Sequence, residues 1–204
     1  MSRQHEVWDK AHVDSLITKV WGDTNHERGR HWDIQMRVAK HINENKDVLE
    51  VAPGVGHLFK IIRDKCATYR GRDTSPAMIA QFQDYFPNAD IALGDAYDLQ
   101  DQESADIVVS VDMLMHLPGD LTVPIVQMWE KAKEKLIFTI RLAEEKSWIV
   151  KRNYNHEDGT RSLIVRGDTK EDLGKIFAQL EGLDRVEEDY YDSRTSIIVC
   201  YREA

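Results

Sequence analysis

Three acids in the first half of the chain stand at or near the end of a strand-like segment: Glu50 after Val48-Leu49, Asp73 after Thr68-Tyr69-Arg70-Gly71-Arg72, and Asp95 after Ile91-Ala92-Leu93-Gly94. A strand that ends in a carboxylate presents an acceptor to whatever binds at the sheet edge. Around the first acid the chain continues as Val51-Ala52-Pro53-Gly54-Val55-Gly56-His57-Leu58, which reads as strand, acid, glycine-containing loop and helix. Gly54 and Gly56 lack the Cβ that would hold a ligand away from backbone, and they reach φ values closed to other residues. That suits a nucleotide-like ligand. A dinucleotide fingerprint requires a third glycine where Phe59 stands, which disfavours a pyrophosphate on the helix N-terminus and with it a nicotinamide oxidoreductase. Asp73, about 23 residues beyond Glu50, is placed to accept hydrogen bonds from both ribose hydroxyls of a nucleoside.

The elements that must position these groups follow from patterning. Thr74-Ser75-Pro76-Ala77-Met78 opens a helix with a hydroxyl cap and proline in its first turn. Asp106 to Leu117 gives a strongly apolar fourth strand running into a loop, and Leu136 to Arg141 a fifth. Residues 147–165 alternate apolar, polar-turn, apolar and predict a hairpin. Thr169 and Asp172 approximate a capping box for a helix to about Leu180, and 185–191 with 196–201 form a closing strand pair. Before the first strand, apolar residues between Val7 and Trp21 and between Arg30 and Ile42 recur at helical spacing. These helices either cover the sheet or contact the ligand.

Four segments in this order, Glu50-x-Ala52-x-Gly54-x-Gly56, Gly71-Arg72-Asp73-Thr74-Ser75-Pro76-Ala77-Met78, Gly94-Asp95-Ala96 and Asp106 through Leu117, resemble the class I S-adenosylmethionine-dependent methyltransferases from Asp47 to the final strand. Two departures are Ala52, where the family usually has glycine, and Arg72, where an apolar residue is commoner. The resemblance implies an α/β, Rossmann-like three-layer sandwich whose seven-stranded, mostly parallel sheet ends in an antiparallel strand, with an N-terminal helical lid. A single domain, 1–204, would comprise N-terminal helices (1–45), a cofactor-binding core (46–141), a hairpin insertion (142–167) and a C-terminal helix and strand pair (168–204). The resemblance further implies S-adenosyl-L-methionine as cofactor, approached in its methionine portion by backbone around Ala52, Pro53, Gly54 and Gly56, with Glu50 ordering the loop. Asp73 and its neighbour Thr74 would serve the ribose, Asp95 and the Ala96 N–H the adenine, Met78 would pack on the ring, and Ser110 would lie beside the reacting centre.

Displacement of a methyl group from a sulfonium already has a good leaving group, so the protein contributes alignment, exclusion of water and, where needed, removal of a proton. His116 and Asp112 are the candidate catalytic residues. His116 follows the fourth strand and can exchange a proton near neutral pH, or else it caps the following turn. The resemblance implies that the N-terminal helices lid the substrate pocket, which makes Trp8, Trp21 and Trp32 candidate substrate-binding residues and His31 a candidate pocket residue. Arg141 either meets an acidic group of the substrate or pairs locally. His57, Asp112 and His116 have no spacing that fixes a metal, so none is expected.

With 27 basic and 36 acidic residues the formal net charge is −9, which suits a small-molecule acceptor better than broad binding to nucleic acid. No apolar run approaches membrane-spanning length and the first residues lack a signal-peptide core, so the expectation is a cytoplasmic protein without membrane association. Cys66 and Cys200 read as ordinary thiols. Methylation of a protein or nucleic acid, and a non-catalytic S-adenosylmethionine-binding regulatory module, stand as alternatives. Neither the acceptor nor the oligomeric state is legible.

Overall fold

The computed structural model describes residues 8–18, 29–156, 159–192 and 195–203, without the side chains of 154–161. Trp21, one of the candidate lid residues, lies outside these. The helices are α1 (Lys10–Leu16), α2 (Gly29–Val38), α3 (His57–Ile62), α4 (Pro76–Tyr85), α5 (Thr122–Lys131) and α6 (Lys170–Phe177). The strands are β1 (Asp47–Val51), β2 (Thr68–Asp73), β3 (Asp90–Leu93), β4 (Ala105–Ser110), β5 (Ala132–Arg141), β6 (Trp148–His156), β7 (Gly159–Gly167), β8 (Leu183–Asp192) and β9 (Thr195–Arg202).

Seven strands form one sheet in the order β3-β2-β1-β4-β5-β9-β8. Pairing is parallel from β3 through β5, whereas β9 runs antiparallel to both β5 and β8. This is the mixed Rossmann-like sheet expected from the sequence. Its strand order reverses between β1 and β4, and the strand ends on either side of such a switch open a crevice. Both sheet faces are covered. One carries Leu49, Val108, Leu136 and Phe138 beneath α5 and α6, and the other carries Val48, Ile107, Val109 and Ile137 beneath α2 and α3. Central strands buried on both sides explain why β1, β4 and β5 read as near-continuous apolar runs.

Local chemistry sets the turns at the crevice. Ser75 caps α4, its hydroxyl oxygen accepting from Met78 N at 3.2 Å, and Pro76 stands in the first turn. Thr169 caps α6 with the same geometry. The hairpin β6–β7 is a separate two-stranded sheet that leans on the segment 114–116 after β4. Both cysteines are free thiols, Cys200 buried and Cys66 half-buried.

Gly56 caps α3 at φ +91°, and a Cβ there would lie 2.8 Å from Phe86 Cε2 and 2.9 Å from Phe82 Cε2. Phe59, which occupies the place of a third glycine, completes this aromatic cluster, with ring centroids 4.4 Å from Tyr69, 5.4 Å from Phe82 and 5.0 Å from Phe86. The second glycine is thus required by packing between α3 and α4. Gly54, at φ +57°, has only open space beside it. Gly56→Ala is expected to destabilise the fold by ~1–3 kcal/mol, adding a clash to the left-handed φ penalty. Gly54→Ala should cost only the φ penalty of ~1–2 kcal/mol. Urea denaturation of both variants checks the order, and equal losses would contradict it.

Candidate active site

A cavity of about 200 Å³ opens at the strand ends. The loop after β1 contributes Ala52, Pro53, Gly54 and Val55 to its wall, with Glu50 below and His57 at the start of α3. The loop after β2 contributes Asp73, Thr74 and, from α4, Met78. Opposite them stand Val111, Asp112, Met113, Met115, His116 and Leu117 after β4, and the N-terminal segment closes over with Trp8, His31 and Gln35.

The Asp73 carboxylate organises the cofactor side. Its Oδ2 accepts from Gly54 N at 3.2 Å and its Oδ1 from Ser75 N at 2.9 Å, so one buried side chain joins the β1 and β2 loops. Ser75 Oγ then donates to Trp8 O at 2.6 Å, which fastens the start of α1 over the cavity. Burial pushes the Asp73 carboxyl up to about 6, against the pull of the Ser75 and Gly54 N–H groups. Glu50 lies deeper and accepts a 2.6 Å hydrogen bond from Tyr69 O–H on β2. Burial, reinforced by the nearby Asp73 charge, pushes its carboxyl up to about 8. Among the described contacts it is Asp73, rather than Glu50, that holds the glycine loop.

On the facing side, Asp112 takes the left-handed conformation at φ +56°. Its backbone N–H donates to Thr139 Oγ1 at 2.7 Å, and its Oδ2 lies 3.4 Å from His31 Nδ1. Burial opposes its ionisation, but the His31 contact and the positive groups around it outweigh that and hold the carboxyl below its ordinary value. His116 Nδ1 lies 2.7 Å from the carbonyl oxygen of Ile164 in the hairpin. A carbonyl can only accept, so Nδ1 carries the hydrogen, and the Nε2 of the neutral ring keeps a lone pair. Burial lowers the His116 pKa, more strongly than the Ile164 carbonyl and Asp112 raise it. Trp8 packs edge-on against the same ring, with centroids 5.7 Å apart.

Several sequence-expected residues do not reach the cavity. Gly56 packs against Phe82 and Phe86. Ser110 is buried behind the wall, where its hydroxyl donates to Val51 O at 2.8 Å and joins β4 to the end of β1. Asp95 is exposed, its Oδ1 accepting from Tyr97 N, and Ala96 is buried beside it. Trp32 turns towards Lys60, whose ammonium lies 5.6 Å from its ring centroid. Arg141 lies over Trp148 at 5.9 Å. Conversely, sequence reasoning passed over Gln35 and the apolar residues Val111, Met113, Met115 and Leu117. The signal for Gln35 was an amide between Ile34 and Val38 on the apolar stripe of α2; for the others it was an apolar run that outlasts the strand. Among the described residues no group of three or more His, Cys, Asp or Glu side chains could hold a metal ion.

These residues fit an adenosyl sulfonium. A ligand can meet backbone at Gly54, where a Cβ would stand in open space, and beside it lies a strand-end carboxylate. Sheet order and crevice together define a Rossmann-like fold, the architecture shared by solved S-adenosylmethionine-dependent methyltransferases. Residues 48–135, from β1 into β5, match the family described as "Methyltransferase domain". Solved structures share the architecture at low identity. A DhpI–SAH complex is 18% identical with TM-score 0.71, covering 98% of this chain and 95% of its own. DesVI from Streptomyces venezuelae is 17% identical with TM-score 0.67, covering 96% and 99%. The magnesium protoporphyrin IX methyltransferase ChlM from Synechocystis PCC 6803, with bound SAH, is 17% identical with TM-score 0.62, covering 96% and 100%. No curated protein matches the sequence.

The raised acid has a measurable consequence. Glu50 retains in the folded state, up to about pH 8, a proton that the unfolded chain releases near its ordinary value of 4.5. Stability therefore falls as pH rises through that window. Asp73 acts in the lower part of it and His116, whose folded pKa is lowered, acts in the opposite sense at acid pH. Between pH 6.5 and 8 the ligand-free protein should lose up to about 2 kcal/mol of unfolding free energy. Glu50→Gln, which keeps an acceptor for Tyr69, should flatten this limb in urea titrations; an unchanged slope would contradict the assignment.

Proposed function

We propose that the protein transfers the methyl group of S-adenosylmethionine to a small molecule whose nucleophilic oxygen or nitrogen carries a proton, with His116 as general base. The observation that supports this most is that one cavity is lined both by the Gly54–Asp73 loop pair and by His116, whose Nδ1 is taken up by Ile164 O and whose Nε2 keeps its lone pair.

S-adenosylmethionine supplies an activated methyl group whose departure needs no acid. The remaining work falls to the chain's own residues. Backbone at Ala52 and Gly54 would approach the methionine portion, Asp73 would accept from the ribose, and Met78 and Thr74 would line the nucleoside side. Trp8, Met113, Met115 and Leu117 make an apolar wall that excludes water and suits the apolar body of an acceptor. In the displacement this cosubstrate would supply, where the methyl carbon–sulfur bond breaks as the acceptor's bond to that carbon forms, His116 Nε2 would take the proton from the acceptor atom. Its Nδ1–H bond to Ile164 O fixes the tautomer that can do so. Asp112 faces the same cavity and, held by Thr139 and His31, orients His31 and adds a negative charge that favours the imidazolium formed.

A small acceptor accords with the partly closed cavity beneath Trp8 and α2 and with the net charge of −9. Among the similar folds, CalS10 is described as an amino pentose methyltransferase and ChlM as a magnesium protoporphyrin IX methyltransferase. With methyl-labelled S-adenosylmethionine and a fractionated cell extract, label should pass into the acid-soluble small-molecule fraction. Label in protein or nucleic acid would favour a macromolecular acceptor, and no transfer would favour a binding module.

His116→Ala should leave S-adenosylhomocysteine affinity nearly intact and lower methyl transfer by roughly 10²-fold or more. In the unsubstituted enzyme the acid limb of kcat/KM should fall below the ordinary histidine value, because burial lowers the His116 pKa and only the neutral ring accepts a proton. A small rate loss with a large fall in Tm would instead assign His116 to structure.

A further inference from the structure

Gln35 is 5% exposed and lines the cavity, and its Oε1 meets no hydrogen-bond donor among the described residues. Its flanking residues Ile34 and Val38 are locked into the core against Val48, Leu58, Ile62 and Val111, so the helix cannot turn the amide out to solvent without dismantling that packing. A buried acceptor left without a donor is costly, and a fold tolerates it most readily where a ligand brings the donor.

The position of α2 indicates which part of a ligand that is. His31 stands one helical turn before Gln35 on the same face and also lines the cavity, its ring 4.7 Å from that of His57, the first residue of α3. α2 packs on α3, the helix that the glycine loop opens. Gln35 therefore enters from the side of the β1 loop, whereas Trp8 and His116 meet each other on the acceptor side. On the reading that S-adenosylmethionine lies with its amino-acid portion along the β1 loop, the nearest strong donor is the α-ammonium of that portion.

We propose that Gln35 is a cosubstrate-specificity residue: its carboxamide oxygen accepts a hydrogen bond from the α-ammonium group, so that α2 selects adenosyl ligands that carry the amino acid over those that lack it. The assignment rests on the methyltransferase reading and can fail separately from it. A charged donor on a buried oxygen is among the stronger hydrogen bonds, and leucine in its place would leave the ammonium unmatched.

Calorimetric titration of the full-length protein with S-adenosylhomocysteine and with 5′-methylthioadenosine, which keeps the nucleoside but has no amino acid, tests this directly. Gln35→Leu should weaken S-adenosylhomocysteine by roughly 10- to 100-fold and leave 5′-methylthioadenosine within about twofold. The ligand-free variant should melt no lower than the unsubstituted protein, since the orphaned acceptor is gone. Gln35→Met, which preserves side-chain length, should behave alike and serves if the leucine variant is unstable. Unchanged affinity for both ligands would overturn the proposal, as would an equal loss for both, which would mean that the cavity wall had collapsed. If neither adenosyl compound binds the unsubstituted protein, the methyltransferase reading falls and the proposal with it.

Discussion

A single buried carboxylate holds the crevice together. Asp73 accepts from Gly54 N of one loop and from Ser75 N of the next, and Ser75 Oγ passes the connection to the backbone of Trp8. The β1 loop, the β2 loop and the start of α1 thus share one chain of hydrogen bonds, each strengthened by its removal from water. The loops can be short and glycine-bearing because this acid, rather than their own side chains, sets their separation. The same oxygens are the acceptors a ribose would meet, so ligand binding and loop order draw on one group.

Burial divides the site into two electrostatic halves. Glu50 and Asp73 are pushed up by desolvation, which keeps the floor of the cofactor side short of full negative charge. Across the cavity Asp112 is held ionised beside His31, and His116 is held neutral. A cationic sulfonium would enter a cavity with acids on both sides, while His116, the proposed proton acceptor, would stay uncharged until the transfer. The hairpin takes part through Ile164 O, which selects the tautomer of His116. A hairpin far along the chain therefore sets the tautomer of a residue that follows β4.

The sheet and its strand-end loops were legible in the sequence because their signals are local. Buried parallel strands read as apolar runs, Ser75-Pro76 marks a helix start, and Gly54 stands where the backbone needs φ +57°. Ala52 shows how a departure is absorbed: it takes the glycine-like φ of +60° while its N–H donates to Arg72 O at 2.7 Å. Arg72 turns away from the cavity to meet Gln102 and Asp90. Roles that depend on rotation about a helix or on distant partners were not legible. Trp8 stands just before α1 and Trp32 on α2, yet one packs on His116 and the other meets Lys60. Gly56 and Ser110 look like ligand contacts by position, but their tertiary neighbours take them up in packing and in a strand-to-strand hydrogen bond. Gln35 emerges only once α2 is docked.

The proposed seat of an adenosyl ligand is the one cavity between the Asp73 loops and His116. A crystal structure of the protein with S-adenosylhomocysteine tests it most directly. Both ribose hydroxyls are expected within hydrogen-bond distance of the Asp73 carboxylate, with amino-acid atoms against the Ala52–Gly54 backbone and the ligand sulfur facing the Nε2 side of His116. Electron density for the ligand elsewhere, or with Asp73 still bound only to Gly54 and Ser75 and His116 shielded from the sulfur, would contradict it.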